Sequence, residues 1–252
     1  MGKASISSQP RNGGRLFGGG HLRRGVRALT IGAALLLAAP AFGKGNPAEP
    51  MSSVDSIVAQ ANGKSVAIYR SPYAKTPFMH VASPNADGAP AVFLVKSRAP
   101  GWEEVFLAKR PNGSTGWVKD SQVSLALDPY RVQVSLSGHR VTVWKGDTVV
   151  DNEIAGVGRS VLPTPHGTYY IVSLMKQPNP YGPYGPYAFG LSAFSNVLYS
   201  FGGGPGEIGL HGTDYPQGLG TNISHGCIRI SNAGITKLAS MLPLGTPVQI
   251  VP

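Results

Sequence analysis

Between Tyr130 and Trp144 the apolar residues fall on every second position. Val132, Val134 and Leu136 alternate with polar neighbours, Ser137-Gly138-His139 turns the chain, Val141-Thr142-Val143-Trp144 resumes, and Lys145-Gly146-Asp147 turns it again. A period of two sends one face of each segment into a core, so the stretch predicts hairpins of a half-buried antiparallel sheet. Thr168-Tyr169-Tyr170-Ile171-Val172 predicts a further strand, and Thr246-Pro247-Val248-Gln249-Ile250-Val251 the last one. Upstream, Ser65-Val66-Ala67-Ile68-Tyr69, Ala91-Val92-Phe93-Leu94-Val95 and Glu104-Val105-Phe106-Leu107 read as short strands, with a turn at Pro111-Asn112-Gly113-Ser114 and a closing Gly116-Trp117-Val118. A helical period occurs at Ile235, Leu238, Ala239 and Leu242, with Ser231 or Asn232 placed to cap it. The pattern is that of a mostly-β chain with one or two short helices.

The N-terminal pattern differs. Lys3, Arg11, Arg15, Arg23, Arg24 and Arg27 precede an apolar run from Ala28 to Ala39, and small residues follow at Ala39-Pro40-Ala41 and Phe42-Gly43. Basic region, apolar region and small-residue site form the plan of a secretory signal, expected over residues 1–43 with cleavage near Ala41 or Gly43. An uncleaved anchor is the alternative, but the run is shorter than the ~20 residues a spanning helix needs, so membrane contact is expected only in transit. Arg23-Arg24 also raises a twin-arginine route, which the residues after it support poorly. A Pro-containing linker is expected over residues 44–61.

Composition then changes two points. The 34 Gly and 22 Pro among 252 residues favour many short strands and turns over long helices. The net charge of +10 invites a nucleic-acid reading, but the six basic residues of 1–43 stand with no Asp or Glu and leave 16 basic and 12 acidic residues for the rest. Outside the N-terminus no basic cluster is interleaved with aromatics, so no nucleic-acid partner is expected.

The candidate chemistry lies in Ser224-His225-Gly226-Cys227-Ile228-Arg229-Ile230-Ser231-Asn232, which holds the single cysteine of the chain. An exported chain with one cysteine has no internal disulfide, so Cys227 is free, paired with another chain, or reactive. A thiol becomes a useful nucleophile when a base stands beside it, and two imidazoles are candidates. His211 meets the sulfur if Leu210-His211 and Cys227-Ile228 lie on adjoining extended segments; His225 shares its face only if the short run between them is extended. Gly226 lets a substrate approach the backbone, and the amides of Gly226 and Cys227 could face a developing oxyanion. Acyl transfer through a thioester is the chemistry suggested. Against it stand a small buried cysteine of no chemical role and a zinc site of His211, His225 and Cys227, for which neither a His-Glu-x-x-His run nor a Cys-x-x-Cys pair exists here. Gly202-Gly203-Gly204-Pro205-Gly206 lacks the Gly-Lys-Ser/Thr of a phosphate loop and reads as a hairpin connection into His211.

The run Ile208-Gly209-Leu210-His211-Gly212-Thr213, followed eleven positions on by Ser224 to Asn232, resembles the signature of the L,D-transpeptidase (YkuD-like) catalytic domain. Gly156-Val157-Gly158 and Pro163-Thr164-Pro165-His166-Gly167-Thr168-Tyr169 resemble a second part of that pattern, and the likeness covers residues 128–252. It implies an L,D-transpeptidase-type β-sandwich, a Cys227 nucleophile with His211 as base, site-shaping roles for Ser224, His225 and Gly226, and Arg229 in the site on a substrate carboxylate. It implies a backbone carbonyl orienting His211, with Gly212 in the site but contributing no side chain; Asp214 is an alternative. It implies peptidoglycan stem peptides as partners, acylation by carbapenems, no metal or cofactor, and a place in the periplasm or cell wall. Hydrolysis by water would make the enzyme an L,D-carboxypeptidase; a non-catalytic wall-binding protein and an exported peptidase of L,L bonds are further alternatives. Residues 62–127 resemble bacterial SH3-like domains through Trp102-Glu103-Glu104-Val105 and the turn leading to Gly116-Trp117-Val118, which makes them a wall-holding β-barrel or a spacer. Tyr181-Gly182-Pro183-Tyr184-Gly185-Pro186-Tyr187 predicts an irregular loop, either a substrate-facing lid through Tyr184 or Tyr187 or a surface loop packed on its own tyrosines.

Overall fold

The computed structural model describes residues 55–252; the signal expected at 1–43 lies outside the described residues. Seven strands come first: β1 (Ser56–Ala61), β2 (Ser65–Ile68), β3 (Met79–Ala82), β4 (Val92–Ala99), β5 (Trp102–Phe106), β6 (Thr115–Lys119) and β7 (Val123–Asp128). Five of them form a sheet in the order β6-β5-β4-β1-β7, with β2 and β3 paired as a separate hairpin. Six residues of the stretch expected as linker are therefore strand, and Ser56–Ala61 pairs on both sides, with β4 and with β7. The alternating residues Val66, Ile68, Phe93, Val105 and Val118 build one core beneath this sheet. Trp102 is buried edge-on against Tyr69 at 5.0 Å, as a packing residue.

The remaining elements are β8 (Tyr130–Ser135), β9 (Arg140–Lys145), β10 (Thr148–Ile154), β11 (Val157–Gly158), β12 (Gly167–Lys176), β13 (Tyr187–Phe194), β14 (Glu207–His211), β15 (Asn222–Ser224), β16 (Ile228–Arg229), α1 (Asn232–Met241) and β17 (Pro247–Val251). Where a two-sheet sandwich was expected, eight of these strands form one continuous sheet, in the order β10-β9-β8-β17-β12-β13-β14-β16. The sheet curls until its ends meet: Gly156, just after β10, exchanges backbone bonds with Arg229 of β16 at the opposite edge. Curling encloses a single core in which Val132 and Val143 from one end join Leu210 and Ile228 from the other, so no second sheet is needed to cover the apolar face. Helix α1 closes that core with Ile235 and Leu238, joined by Leu242 just past its end, and its N-terminal cap is Ser231, whose hydroxyl accepts from Gly234 N–H at 2.9 Å.

The two sheets share a buried seam of Val58, Val92 and Leu94 against Tyr170 and Val172. Asp128 accepts from the Thr246 hydroxyl at 2.7 Å, and Asp87 from that of Ser173 at 2.7 Å. The strand-rich N-terminal part is thereby packed onto β12, next to the strands that carry the candidate site.

Candidate active site

Strands β14 and β16 run parallel, with Leu210 opposite Ile228 and His211 opposite Arg229. Strand parity then sorts the side chains: Ile208, Leu210 and Ile228 point into the core and are at most 2% exposed, while Gly209 and His211 share the other face with Cys227 and Arg229. The adjoining extended segments on which the His211 assignment depended are thus present. A methyl group placed on Gly209 would lie 3.5 Å from the His211 ring and 3.9 Å from the sulfur, so both flank one point, and Gly209 N–H donates to Cys227 Sγ at 3.3 Å. The role of Gly209 was invisible in sequence because it depends on the pairing of β14 with β16.

His211 Nδ1 lies 2.6 Å from the carbonyl oxygen of Gly212, which can only accept. The neutral ring therefore carries its proton on Nδ1 and leaves the Nε2 lone pair free to take a proton. Burial pushes the imidazole down to about 4 against the pull of that carbonyl, and Arg229 lowers it further. Burial also pushes the Cys227 thiol up, although the Gly209 N–H and Arg229 favour the thiolate. At rest the dyad is a neutral thiol beside a neutral imidazole rather than an ion pair.

Gly226 adopts φ +123°, a backbone region open to glycine, with Ile208 packed 3.1 Å from where a Cβ would stand. The expected pairing of Gly226 and Cys227 amides around an oxyanion is only half present. Gly226 N–H donates to Ser224 Oγ at 3.0 Å, and that hydroxyl donates in turn to Cys227 O at 2.6 Å. Ser224 shapes the turn by this double bond; the Cys227 N–H donates to no described group. Thr164 ties the second sequence motif to the same turn, accepting from Gly158 N–H and donating to Gly226 O, at 2.9 and 2.8 Å. His225 is exposed and stacks on Phe201 with centroids 5.3 Å apart, turned away from the base role. Among the described residues no three His, Cys, Asp or Glu side chains converge as a metal site would require.

Arg229 makes no ion pair among the described residues, and its Nε is buried without a hydrogen-bond partner. A guanidinium held in this way beside the thiol favours an incoming anion. Gly212 is buried, its α-carbon closed off by Asn232 and Gly185, so it serves the site through its carbonyl and offers no surface to a substrate. Asp214 is exposed and acts on His211 only through its charge. Tyr184 stands edge-on over the His211 ring at 4.9 Å; Tyr187 is the first residue of β13 and packs on the core, so of the two tyrosines only Tyr184 faces the site.

Cys227 and His211 line a groove of about 680 Å³. Residues with no local sequence signal line it too: Asn85, Ala86, Asp87 and Ala108 from loops of the N-terminal part, and Phe201 and Glu207 from the segment before the histidine. Burial and the charge of Asp87 push the Glu207 carboxyl up to about 7. Its folded pKa exceeds the unfolded one, so the folded state holds the extra proton between about pH 4.5 and 7, and the destabilisation grows as pH rises through that window. Glu207→Gln is expected to stabilise the protein by about 1–2 kcal/mol at pH 8, after discounting for partial exposure, and by nothing measurable at pH 4. Urea unfolding at the two pH values measures the difference.

The model of the L,D-transpeptidase catalytic domain (YkuD) matches residues 129–250. YkuD of Bacillus licheniformis, provisionally named an L,D-transpeptidase, is 38% identical over 124 residues, covering 49% of this chain and 67% of its own length. YkuD of Bacillus subtilis is 34% identical over 122 residues, covering 48% and 66%. Among solved structures, L,D-transpeptidase 3 from Mycobacterium tuberculosis in complex with a faropenem-derived adduct superposes with a TM-score of 0.41 at 17% identity, over 64% of this chain and 91% of that one, too loosely to carry an argument about the site. With the matched residues spanning β8 to β17 and both site segments, this chain belongs to the L,D-transpeptidase (YkuD) family.

Proposed function

We propose that this protein is a peptidoglycan L,D-transpeptidase. The observation that carries the reading is the Cys227–His211 dyad on adjoining parallel strands, with Nδ1 of the histidine tied to Gly212 O and Nε2 left free. In the proposed reaction Nε2 takes the thiol proton as Sγ attacks the carbonyl between the third residue of a stem tetrapeptide and its terminal D-alanine. The Cys227 N–H supports the oxyanion, and Arg229 pairs with a substrate carboxylate. Collapse breaks the peptide bond, and D-alanine leaves as an amine with the proton from His211. An amine of a neighbouring stem then attacks the thioester, forms the cross-link and restores the thiol.

A carbapenem would acylate the same sulfur through its strained lactam. Export by the N-terminal segment to the periplasm or cell wall, and an SH3-like identity for residues 62–127, belong to the same proposal. The test is incubation of the protein with a stem tetrapeptide, alone and with an acceptor stem. Released D-alanine together with a cross-linked dimer supports the transpeptidase; D-alanine with a tripeptide only makes it a carboxypeptidase; release of neither, from folded protein, removes the catalytic reading.

A further inference from the structure

One wall of the groove is lined by Phe201 and residues 203–206, from the connection 195–206, which contains Gly202, Gly203, Gly204 and Gly206. Such a glycine-rich segment has many conformations open to it, and its own bonds lie at its base and tip: Ser195 N–H donates to Gly206 O, Ser195 Oγ accepts from Val197 and Leu198 N–H at 3.3 and 3.0 Å, and Phe201 and Gly204 exchange backbone bonds. Its further anchoring comes from the loop between β5 and β6 of the N-terminal sheet. Arg110 Nη1 donates to Pro205 O at 2.7 Å, while Nη2 donates to Ser195 O and Leu198 O, both at 2.9 Å. The guanidinium also lies over the rings of Phe194 and Tyr199, at 4.9 and 4.8 Å. Asn112 completes the clamp with its side-chain amide, donating to Phe194 O at 2.7 Å and to Asn196 Oδ1 at 3.3 Å and accepting from Phe194 N–H at 2.9 Å, at the point where β13 passes into the segment. The wall so held presents Phe201 to His225, two residues from the nucleophile.

We propose that Arg110 and Asn112 are positioning residues of the catalytic groove, which makes the N-terminal sheet a working part of the enzyme rather than a detachable tether. They touch neither thiol nor imidazole; they act through the 195–206 segment, and the proposal rests on the acyl-transfer reading of that groove. A planar fork serving three carbonyls is a task for arginine, which a lysine ammonium cannot reproduce.

Arg110→Ala, Arg110→Lys and Asn112→Ala in the full chain provide the test, with three readouts. The acylation rate of Cys227 by a carbapenem is expected to fall about tenfold or more in Arg110→Ala and Arg110→Lys, through weaker initial binding rather than a slower bond-forming step, and by less in Asn112→Ala. Alkylation of Cys227 by iodoacetamide, which needs no groove wall, should stay within about twofold of wild type, since the dyad itself is undisturbed. Hydrogen exchange should show lost protection at the Phe201 and Gly204 amides with β12 and β13 still protected. Acylation unchanged in folded variants overturns the proposal, and so does a parallel fall of acylation and alkylation with general loss of protection. If wild-type protein is not acylated at all, the transpeptidase reading fails, and the exchange readout alone decides whether the clamp holds the wall.

Discussion

Replacing His211 by Gln is expected to slow acylation of Cys227 by about 10²–10⁴-fold, the range contributed by a positioned general base. The loss should be large here because the Gly209 N–H and Arg229 only ease the charge on the sulfur, and neither can take its proton. Burial holds the sulfur protonated above its ordinary value, and the imidazole is kept neutral down to about 4, so no thiolate–imidazolium pair awaits the substrate. Proton transfer to Nε2 has to accompany attack. The wild-type rate should therefore show no step near pH 6.5, where a free histidine titrates; its acid limb should fall near pH 4, because His211 is a competent base wherever it is neutral. Stopped-flow acylation from pH 4 to 9 measures both features.

Replacing Arg229 by Met is expected to reduce kcat/KM for a stem tetrapeptide by about 10–100-fold, mostly in KM, the equivalent of one charge-assisted hydrogen bond of about 1.5–3 kcal/mol. The guanidinium has no described anionic partner and one orphaned buried N–H, so its removal costs the folded protein no ion pair while it deprives the substrate of one. The variant should also hold its thiol still higher, since Arg229 is one of the two influences favouring the thiolate. Steady-state kinetics at constant pH, set beside the alkylation rate of the thiol at high pH, separates the binding effect from the effect on the sulfur.

What the sequence made legible has a physical pattern. Cys227 and His211 were legible through the family resemblance of their two motifs, whereas residue types alone left His211 and His225 open, because the choice depends on β14 pairing with β16. The helix was equally open, because Ile235, Leu238 and Leu242 repeat with its turn. Features set by distant contacts were hidden. Ile57 and Val58 sit beside a Pro-containing stretch and were absorbed into a linker, although β4 and β7 pair with them from either side. The single curled sheet depends on Gly156 meeting Arg229, 73 positions away, and strand alternation looks the same in a sandwich. Gly226 was credited with an oxyanion amide because a sequence cannot show that Ser224 Oγ already accepts from it. Asp87 and Ala108 line the groove, and Arg110 holds the segment beside it, only because the two sheets pack along their seam.

The proposed reaction requires Cys227 to be an accessible nucleophile that His211 assists toward acyl transfer. Intact mass of the protein with and without a carbapenem, beside Cys227→Ala, tests it most directly. A single adduct of one drug mass is expected on wild type and none on the variant. Folded wild-type protein that stays unmodified, or an adduct that persists in Cys227→Ala, would contradict it.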